Sequence, residues 1–482
     1  MDRRRWRRAW TVVAAAGGIA AGVSCSLLVG GFKECETETD CASRVTDGGA
    51  FNYICSTGYC LPIDRRCTIL GPKTGDAVVW GAIWPKTLTT GAPHQWGPSW
   101  ERAIELLINE LNPPVRTGIQ NRPIRVYSCD SQSNNTTAAD LASYLVNTVK
   151  VPVIISDGSG ETIAESRITI PAGVLLVAGA ATSPELTNLA DAAPDGGSVG
   201  MVWRTTPSDA LQAPIIARQI LGDAGTPVPK VFVFARDDAF GQPLASLFSA
   251  SYPQALADGG PAKATYFINP NDLSTVTPAL NQAEAFGPNI MVVIGFPAEL
   301  VAIINGTASH PGLSSASWFF TQNAKFPALF TQVDGGVPIQ GARGTSPSAG
   351  YDNSEPSLFF RPKFEQTYST LFNSVVDLSN VYDAAFLVAL ATDYSYTRDG
   401  NANGVRMAEA FTRFSSDAGR LISLVPSRFS EGISELAANR EINVEGASGH
   451  LDFNNVTGEA PADYEVWKIV GTNFVTQYTV SP

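Results

Sequence analysis

The stretch from Val151 to Thr187, VPVIISDGSGETIAESRITIPAGVLLVAGAATSPELT, decides the fold of this chain. Its two short apolar runs, Val151–Ile155 and Val174–Ala178, are bounded by turn residues, which predicts two buried strands. Small and hydroxylated residues follow each run and lead into a predicted helix, at 161–167 and at 184–189. Two consecutive strand–loop–helix units predict neighbouring strands of a parallel sheet.

The loops that follow these two strands predict a binding site. In a parallel sheet both loops lie at the carboxyl edge, where open α/β sheets bind ligands. Each loop offers backbone N–H groups at a helix start and a hydroxyl, which suits a carboxylate or another small polar head group. For either loop taken alone, an ordinary capped turn is the alternative interpretation.

The alternation of strand and helix continues along most of the chain. It extends from Ala77 to Thr321, and helical patterns then return between Lys363 and Asn439. Clusters of Pro, Gly and Ser at 192–200 and 335–350 mark seams between the series. This arrangement predicts two α/β lobes joined by several chain crossings.

Composition excludes several classes of protein. The 482 residues are 44% hydrophobic and 16% charged, which is typical of globular proteins. The net charge of −12 argues against binding nucleic acid or anionic lipid through the mature domain.

The first 25 residues are typical of a targeting segment. Five arginines precede an apolar run from Ala9 to Val23, which is shorter than the ~20 residues of a membrane-spanning helix. Ser24-Cys25 then resembles the lipidation site of bacterial lipoproteins, although Gly22 stands where an aliphatic residue is usual. We expect a signal peptide at 1–24 and a lipid on Cys25, with simple secretion as the alternative.

Cysteine usage indicates an oxidising compartment. Five cysteines crowd a polar segment that is too small to build a core, which predicts a disulfide staple. Zinc is disfavoured because no C-x-x-C pair and no nearby histidine occur. Since five is odd, the partner of the fifth cysteine is Cys129, or one thiol stays free. The candidates are Cys35, Cys41, Cys55, Cys60, Cys67 and Cys129.

Signals for catalysis are weak. His94, His310 and His450 lie far apart in the sequence, and no nucleophile elbow or phosphate-binding glycine motif follows a strand. We therefore expect no enzyme activity, metal or cofactor. A hydrolase that uses Ser159 is the weakest of the readings we retain.

Four segments of the chain carry a family resemblance: AATSPELT (180–187), WRTTPSD (203–209), YDAA (382–385) and GHLDFN (449–454). They resemble the periplasmic leucine/isoleucine/valine-binding protein family, the substrate-binding components of branched-chain amino acid ABC transporters. The similarity covers roughly 76–478, in the family's order. The N-terminal cysteine-rich segment resembles those of myxobacterial surface lipoproteins.

The resemblance implies a type I periplasmic-binding fold, with two doubly wound parallel-sheet lobes, three crossings and a ligand in the cleft. The small disulfide-rich segment precedes them. The expected crossings are 204–208, 341–348 and 449–452. The expected divisions are a signal peptide at 1–24, the anchor, cysteine-rich segment and linker at 25–74, lobe 1 at 75–204 plus 346–448, and lobe 2 at 205–345 plus 449–482.

By motif position, the resemblance also implies the ligand contacts. Lobe 1 supplies Trp96, Ser159, Gly160, Ala180 and Thr182, and lobe 2 supplies Phe240, Phe296 and Asn323. The two phenylalanines have plain core packing as their alternative.

Two of these positions depart from the family. Phe240 stands where a tyrosine is usual, and Asn323 stands near an acidic residue that holds the ligand's ammonium. Because an amide cannot offset a buried positive charge, this departure favours a small carboxylate or amide with an apolar body.

The sequence thus predicts an extracytoplasmic, lipid-anchored solute-binding protein of the cell envelope, on its periplasmic or outer-membrane face. It would deliver an amino-acid-like, carboxylate or amide ligand to an ABC-type permease. Its contact with the membrane would be the lipid anchor only, and it would bind no nucleic acid. The rival interpretation is a regulatory or scaffold protein of the same fold with a vestigial cleft.

Overall fold

The computed structural model describes residues 34–37, 39–41, 51–56, 59–224, 227–348 and 353–482. The chain divides after Ile63 into a small N-terminal unit and a large unit from Asp64 to Pro482. The predicted signal peptide and Cys25 lie outside the described residues.

The small unit is held together by disulfides. Strands β1 (Phe51–Ser56) and β2 (Tyr59–Asp64) form a two-stranded sheet. The disulfides Cys35–Cys55 and Cys41–Cys60 bring together its four buried cysteines, against which Tyr53 packs. These two disulfides confirm the predicted staple. A unit with so few apolar side chains cannot form a stable core without such cross-links.

The large unit begins with the first sheet of lobe 1. Its strands stand in the order β3-β5-β4-β6-β7-β8, and all are parallel except the antiparallel edge strand β3. The disulfide Cys67–Cys129 joins β3 to β5, which decides between the two alternatives for the odd cysteine. In chain order the elements are β3 (Cys67–Leu70), β4 (Val78–Trp84), α1 (Gly97–Leu111), β5 (Ile124–Asp130), α2 (Asn135–Tyr144), β6 (Val153–Ser156), α3 (Ser159–Thr169), β7 (Leu175–Ala178) and β8 (Val202–Arg204).

Lobe 2 repeats the alternation. Its sheet has the order β10-β9-β11-β12-β13-β17-β18, in which β9 to β13 are parallel and the last two strands antiparallel. In chain order its first elements are α4 (Asp209–Ala224), β9 (Val231–Arg236), α5 (Gly241–Ser251), β10 (Lys263–Ile268), α6 (Val276–Phe286), β11 (Ile290–Ile294), α7 (Pro297–Gly306), β12 (Ser317–Phe320), α8 (Ala328–Gln332) and β13 (Arg343–Pro347).

The chain then returns to lobe 1 and ends in lobe 2. The returning part adds helices α9 to α12 and the small sheet β14-β15-β16 to lobe 1. These elements are α9 (Glu355–Tyr368), α10 (Leu378–Asp399), α11 (Gly404–Phe411), β14 (Arg420–Ser423), α12 (Phe429–Ala437), β15 (Ile442–Gly446) and β16 (Gly449–His450), followed by β17 (Tyr464–Val470) and β18 (Asn473–Val480) in lobe 2.

Helix α10 is the centre of the lobe 1 core. Its first 18 residues, Leu378–Ser395, are all buried, since one face packs on α1 and the other contacts the sheet and the returning helices. Strand β4 contributes alternate residues to the same core, including Trp80 and Trp84. Polar residues such as Asn380 and Asp383 are buried together with the apolar ones, so the helix is enclosed on all sides.

The fold class predicted from the sequence is confirmed, but the expected boundaries differ in two places. Strand β3, at 67–70, is an edge strand of lobe 1 and not part of the N-terminal segment. The third crossing is later than 449–452, because Leu451, Phe453 and Ala460 belong to the lobe 1 core and lobe 2 resumes with β17. Among the described residues, no helix has the length and apolar character to span a membrane.

Candidate functional site

A cavity of about 950 Å³ lies between the two lobes of the large unit. Loops at the carboxyl ends of β4, β6 and β7 line one side, and loops after β9, β11 and β12 line the other. The parallel strands in each sheet bring these loops to the same edge. All eight residues expected from the sequence line the cavity: Trp96, Ser159, Gly160, Ala180, Thr182, Phe240, Phe296 and Asn323.

The first of the two predicted binding loops, which follows β6, turns through Gly158, whose φ is 70°. This backbone conformation favours glycine, and a Cβ there would also lie 2.4 Å from Glu161 Oε2, so that carboxylate would have to move. Helix α3 begins at the next residue, Ser159, whose Oγ accepts a hydrogen bond from the Ser183 N–H at 3.1 Å. The two predicted binding loops are therefore joined directly.

The second loop differs from its prediction. A single 3₁₀ turn at Leu186–Asn188 replaces the α-helix predicted at 184–189. In addition, the Thr182 hydroxyl donates to Asp209 Oδ2 at 2.9 Å. We expected this hydroxyl to be available to hold an anionic group, but its proton is already engaged by a carboxylate at the start of α4.

Arg204 holds the second loop in place. This side chain is 2% exposed, and its guanidinium donates to Ala181 O at 3.1 Å, Ser183 O at 2.7 Å and Thr187 Oγ1 at 2.8 Å. It also forms an ion pair with Glu459, which lies shortly before the last crossing. The WRTTPSD segment, through Arg204, therefore fixes the position of the AATSPELT segment by hydrogen bonds.

Aromatic rings form the apolar wall of the cavity. The rings of Phe240 and Phe296 stack with centroids 5.3 Å apart, and the Trp96 ring meets Phe296 edge-on at 6.2 Å across the cleft. Phe240 also belongs to a hydrophobic core cluster of lobe 2, as its core-packing alternative expects, and its role as a ligand contact stays a prediction. The Trp96 side chain is buried, and its indole N–H has no hydrogen-bond partner among the described residues.

His94 positions the tryptophan loop. Its Nδ1 accepts hydrogen bonds from the N–H groups of Trp96, at 3.3 Å, and Gly97, at 3.1 Å, where α1 begins. Burial lowers the pKa of His94 to about 4, and the nearby Arg236 guanidinium contributes in the same direction. The imidazole is therefore neutral at pH 7 and acts as an acceptor.

Carboxyl groups on lobe 1 were missed by sequence reasoning. Asp157 is 1% exposed, and neither of its oxygens has a well-formed hydrogen bond among the described residues. Burial raises its pKa well above the usual range, and the neighbouring carboxylates of Glu161 and Asp377 raise it further. Burial also raises the pKa values of Glu161 and Asp377 to about 7.

Among the described residues that line the cavity, lobe 2 contributes one cationic side chain, which is largely enclosed. Arg236, at the end of β9, donates to Asp238 Oδ2 at 2.7 Å and Glu299 Oε1 at 2.5 Å. Its guanidinium also lies 4.2 Å from the centroid of the Phe296 ring. The arginine is therefore compensated by two carboxylates within its own lobe.

Asn323 lies in a short 3₁₀ turn after β12 and is 5% exposed. We inferred that this amide cannot offset an ammonium group as a carboxylate would, and that preference for a carboxylate or amide ligand stays a prediction. Carboxyl groups nevertheless line the opposite wall, at Asp157, Glu161 and Asp377.

Two of these missed groups could have been predicted from the sequence, and one could not. Asp157 and Arg236 each stand at the end of a predicted strand, so position alone would have nominated them. Asp377 had no such signal, since it precedes α10, some 200 residues from the loops that it joins. Within the described ranges, the one group of potential metal ligands is Cys35, Cys41 and Cys60, which are all disulfide-bonded.

The sequence profile of the periplasmic binding protein family matches residues 81–391. The chain belongs to this family. Membership in the periplasmic binding protein family indicates an extracytoplasmic location.

Individual proteins that are similar to this periplasmic binding protein are consistent with the family assignment. The substrate-binding protein BasB of a chemotactic signal transduction system in Halobacterium salinarum is 24% identical, over 73% of this chain and 78% of its own. The leucine binding protein LivK of Thermotoga maritima has a TM-score of 0.64 at 18% identity, covering 84% of this chain and 99% of its own. An R. palustris ABC-transporter solute binding protein in complex with benzoate has a TM-score of 0.62 at 16% identity, covering 84% and 97%. These relatives are binding proteins, and the two structures share the fold of this chain.

Proposed function

We propose that this protein captures a small polar solute between its two lobes outside the cytoplasm and delivers it to an ABC-type importer. The cavity of about 950 Å³ carries the proposal, since both lobes contribute loops with hydrogen-bonding and aromatic groups. Clefts of this size enclose ligands of drug-like dimensions or smaller. The proposal includes no catalytic step.

The same observation disfavours the scaffold alternative. A vestigial cleft would be filled by side chains, whereas this cavity is open and retains buried groups without partners, notably Asp157 and the Trp96 N–H. Buried polar groups that lack partners are costly and are commonly found at functional sites.

A second candidate is delivery of the solute to a chemoreceptor. The Halobacterium relative is described as part of a chemotactic system, so a capture protein of this family can serve signalling. Deleting the gene would separate the two roles. Loss of labelled-solute uptake would support import, whereas loss of the tactic response with normal uptake would support signalling.

The proposal is tested by ligand screening and scattering. A ligand at 100 times its dissociation constant should stabilise the protein by about 2.7 kcal/mol in a thermal-shift assay. The lobes should also close around it, so that the radius of gyration falls in solution scattering. If a broad screen of amino acids, carboxylates, amides, amines and sugars gives no stabilisation, the capture function is refuted.

We also propose that Cys25 carries a lipid that anchors the protein to the envelope. The basic start, the short apolar run and the Ser24-Cys25 junction support this. Cys25→Ala should release the protein from membranes, with Ser26→Ala as the matched control. Mass spectrometry that finds an unmodified N-terminus beyond Cys25 would contradict it.

A further inference from the structure

Acidic groups outnumber cations around the cavity. Among the described residues that line it, six are Asp or Glu and one is Arg, and none is Lys. The acidic residues are Asp157, Glu161, Asp237, Asp238, Glu299 and Asp377. The field of such a cleft attracts positive charge and repels anions.

The one arginine is not available to an anionic ligand. Both Asp238 and Glu299 accept hydrogen bonds from Arg236, so this group of three has a net negative charge. The Glu299 side chain is 3% exposed, so separating this pair would leave an unpaired buried charge. A carboxylate ligand would therefore compete with two carboxylates that already hold the guanidinium.

The opposite wall differs, because none of its carboxyl groups forms an ion pair among the described residues and Arg236 only partly offsets the effect of burial on the Glu161 carboxyl group. Asp157 is the most buried, with both oxygens unpartnered apart from the nearby Gly158 N–H, which offsets only part of the cost of burial. The Glu161 and Asp377 carboxyl groups are close enough to Asp157 to disfavour its ionisation. A positive group placed among these three would relieve both effects.

The aromatic wall fits the rest of such a ligand. Trp96, Phe240 and Phe296 line the same cavity, and aromatic faces attract ammonium groups as well as apolar bodies. The indole N–H of Trp96 remains free for one neutral acceptor on the ligand.

We infer that the cleft binds a small organic cation, an amine or quaternary ammonium with an apolar body. Its positive group lies beside Asp157, Glu161 and Asp377, and its body lies against Trp96, Phe240 and Phe296. This inference rests on the proposed capture function and names its substrate class.

A zwitterionic amino acid fits less well. A ligand carboxylate at the start of α3 would face Asp157 and Glu161 and would disfavour their ionisation still further, which removes the negative charge that the ammonium group needs. The Thr182 hydroxyl cannot compensate, because its proton is directed to Asp209.

The test compares matched probes on the full mature chain. Benzylamine and isopentylamine are the cations, phenylalanine and leucine the zwitterions, benzyl alcohol the neutral analogue, and benzoate the anion. Thermal shift and calorimetry at pH 7 should show binding of the amines and weaker or no binding of the others.

Asp157→Asn is the decisive variant. The amide has the shape of the carboxyl group but no charge, so amine affinity should fall by about ten- to a hundredfold. The unliganded variant should melt at nearly the same temperature, because burial already disfavours the charged form of Asp157 and the amide has the same shape as the neutral carboxyl group. Asp417→Asn, at an exposed position of lobe 1, is the control and should change neither quantity.

The possible outcomes are separate. Tighter binding of leucine, phenylalanine, benzyl alcohol or benzoate than of the amines overturns the cation assignment and leaves the capture function intact. Equal amine affinity in the Asp157→Asn variant also overturns the assignment. If no compound of the broader screen binds, both the assignment and the capture function are wrong.

Discussion

Replacing Arg204 by methionine should lower the free energy of unfolding by about 3 kcal/mol and weaken ligand binding. Removing one partner of a buried ion pair costs about 3–5 kcal/mol, because the other charge is left unpaired. Here the remaining Glu459 side chain is 17% exposed, so water reaches it and the lower end of that range applies. Ala181 O and Ser183 O also lose their donor, which loosens the loop that carries Ala180 and Thr182.

Urea denaturation followed by tryptophan fluorescence measures this loss, provided that the slope against urea is unchanged. Arg204→Met combined with Glu459→Gln should recover about 1–2 kcal/mol, since the second change removes the unpaired charge. Arg428→Met breaks an ion pair with Glu431 at the protein surface and serves as the matched control, for which we expect little change. A loss below about 1 kcal/mol for Arg204→Met, or additive single effects in the double variant, would refute the reasoning.

Four further predictions follow from the same contacts. Replacing Cys67 and Cys129 by serine opens a link with a sequence separation of 62 and should cost about 4 kcal/mol of stability by the loop-entropy relation; an unchanged melting temperature would contradict it. Thr182→Ala removes the donor to Asp209 and should cost about 1–3 kcal/mol, whereas Thr182→Ser should not, as denaturant titration can check. Burial raises the pKa of Asp209 to about 7, so the stability that its protonated form contributes is present at low pH and is lost as the pH rises through that value. Asp209→Asn should therefore reduce the fall in melting temperature between about pH 5 and about pH 8, and a fall equal to that of the unchanged protein would be evidence against this. Asn323→Asp adds a carboxylate to the cleft and should tighten amine binding in calorimetry, so weaker binding would count against a cationic ligand.

The local pattern of the chain was sufficient to predict its architecture. Short apolar runs that alternate with amphipathic stretches can bury their apolar faces only as parallel sheets covered by helices. For the same reason the carboxyl ends of β6 and β7 were predicted to carry the binding loops. The eight residues nominated by motif position all line one cavity, together with others that were not nominated. The crowded cysteines likewise predicted a staple, because a polar segment of that size has no other source of stability.

The sequence could not determine how side chains from distant segments combine. Whether the Thr182 hydroxyl is free depends on Asp209, which lies at the start of α4. The charge of the cleft depends on Asp377 meeting Asp157 and Glu161, although Asp377 lies in a distant segment of the chain. Contacts between distant segments also account for two local differences. The third crossing comes late because residues after 449–452 pack in the lobe 1 core. The segment 184–189 forms a short turn in place of a helix, and Arg204 hydrogen-bonds the loop that precedes it. Local periodicity determines which face of an element is apolar, but pairing, burial and charge balance arise only when separate elements meet, and these decided the character of the site.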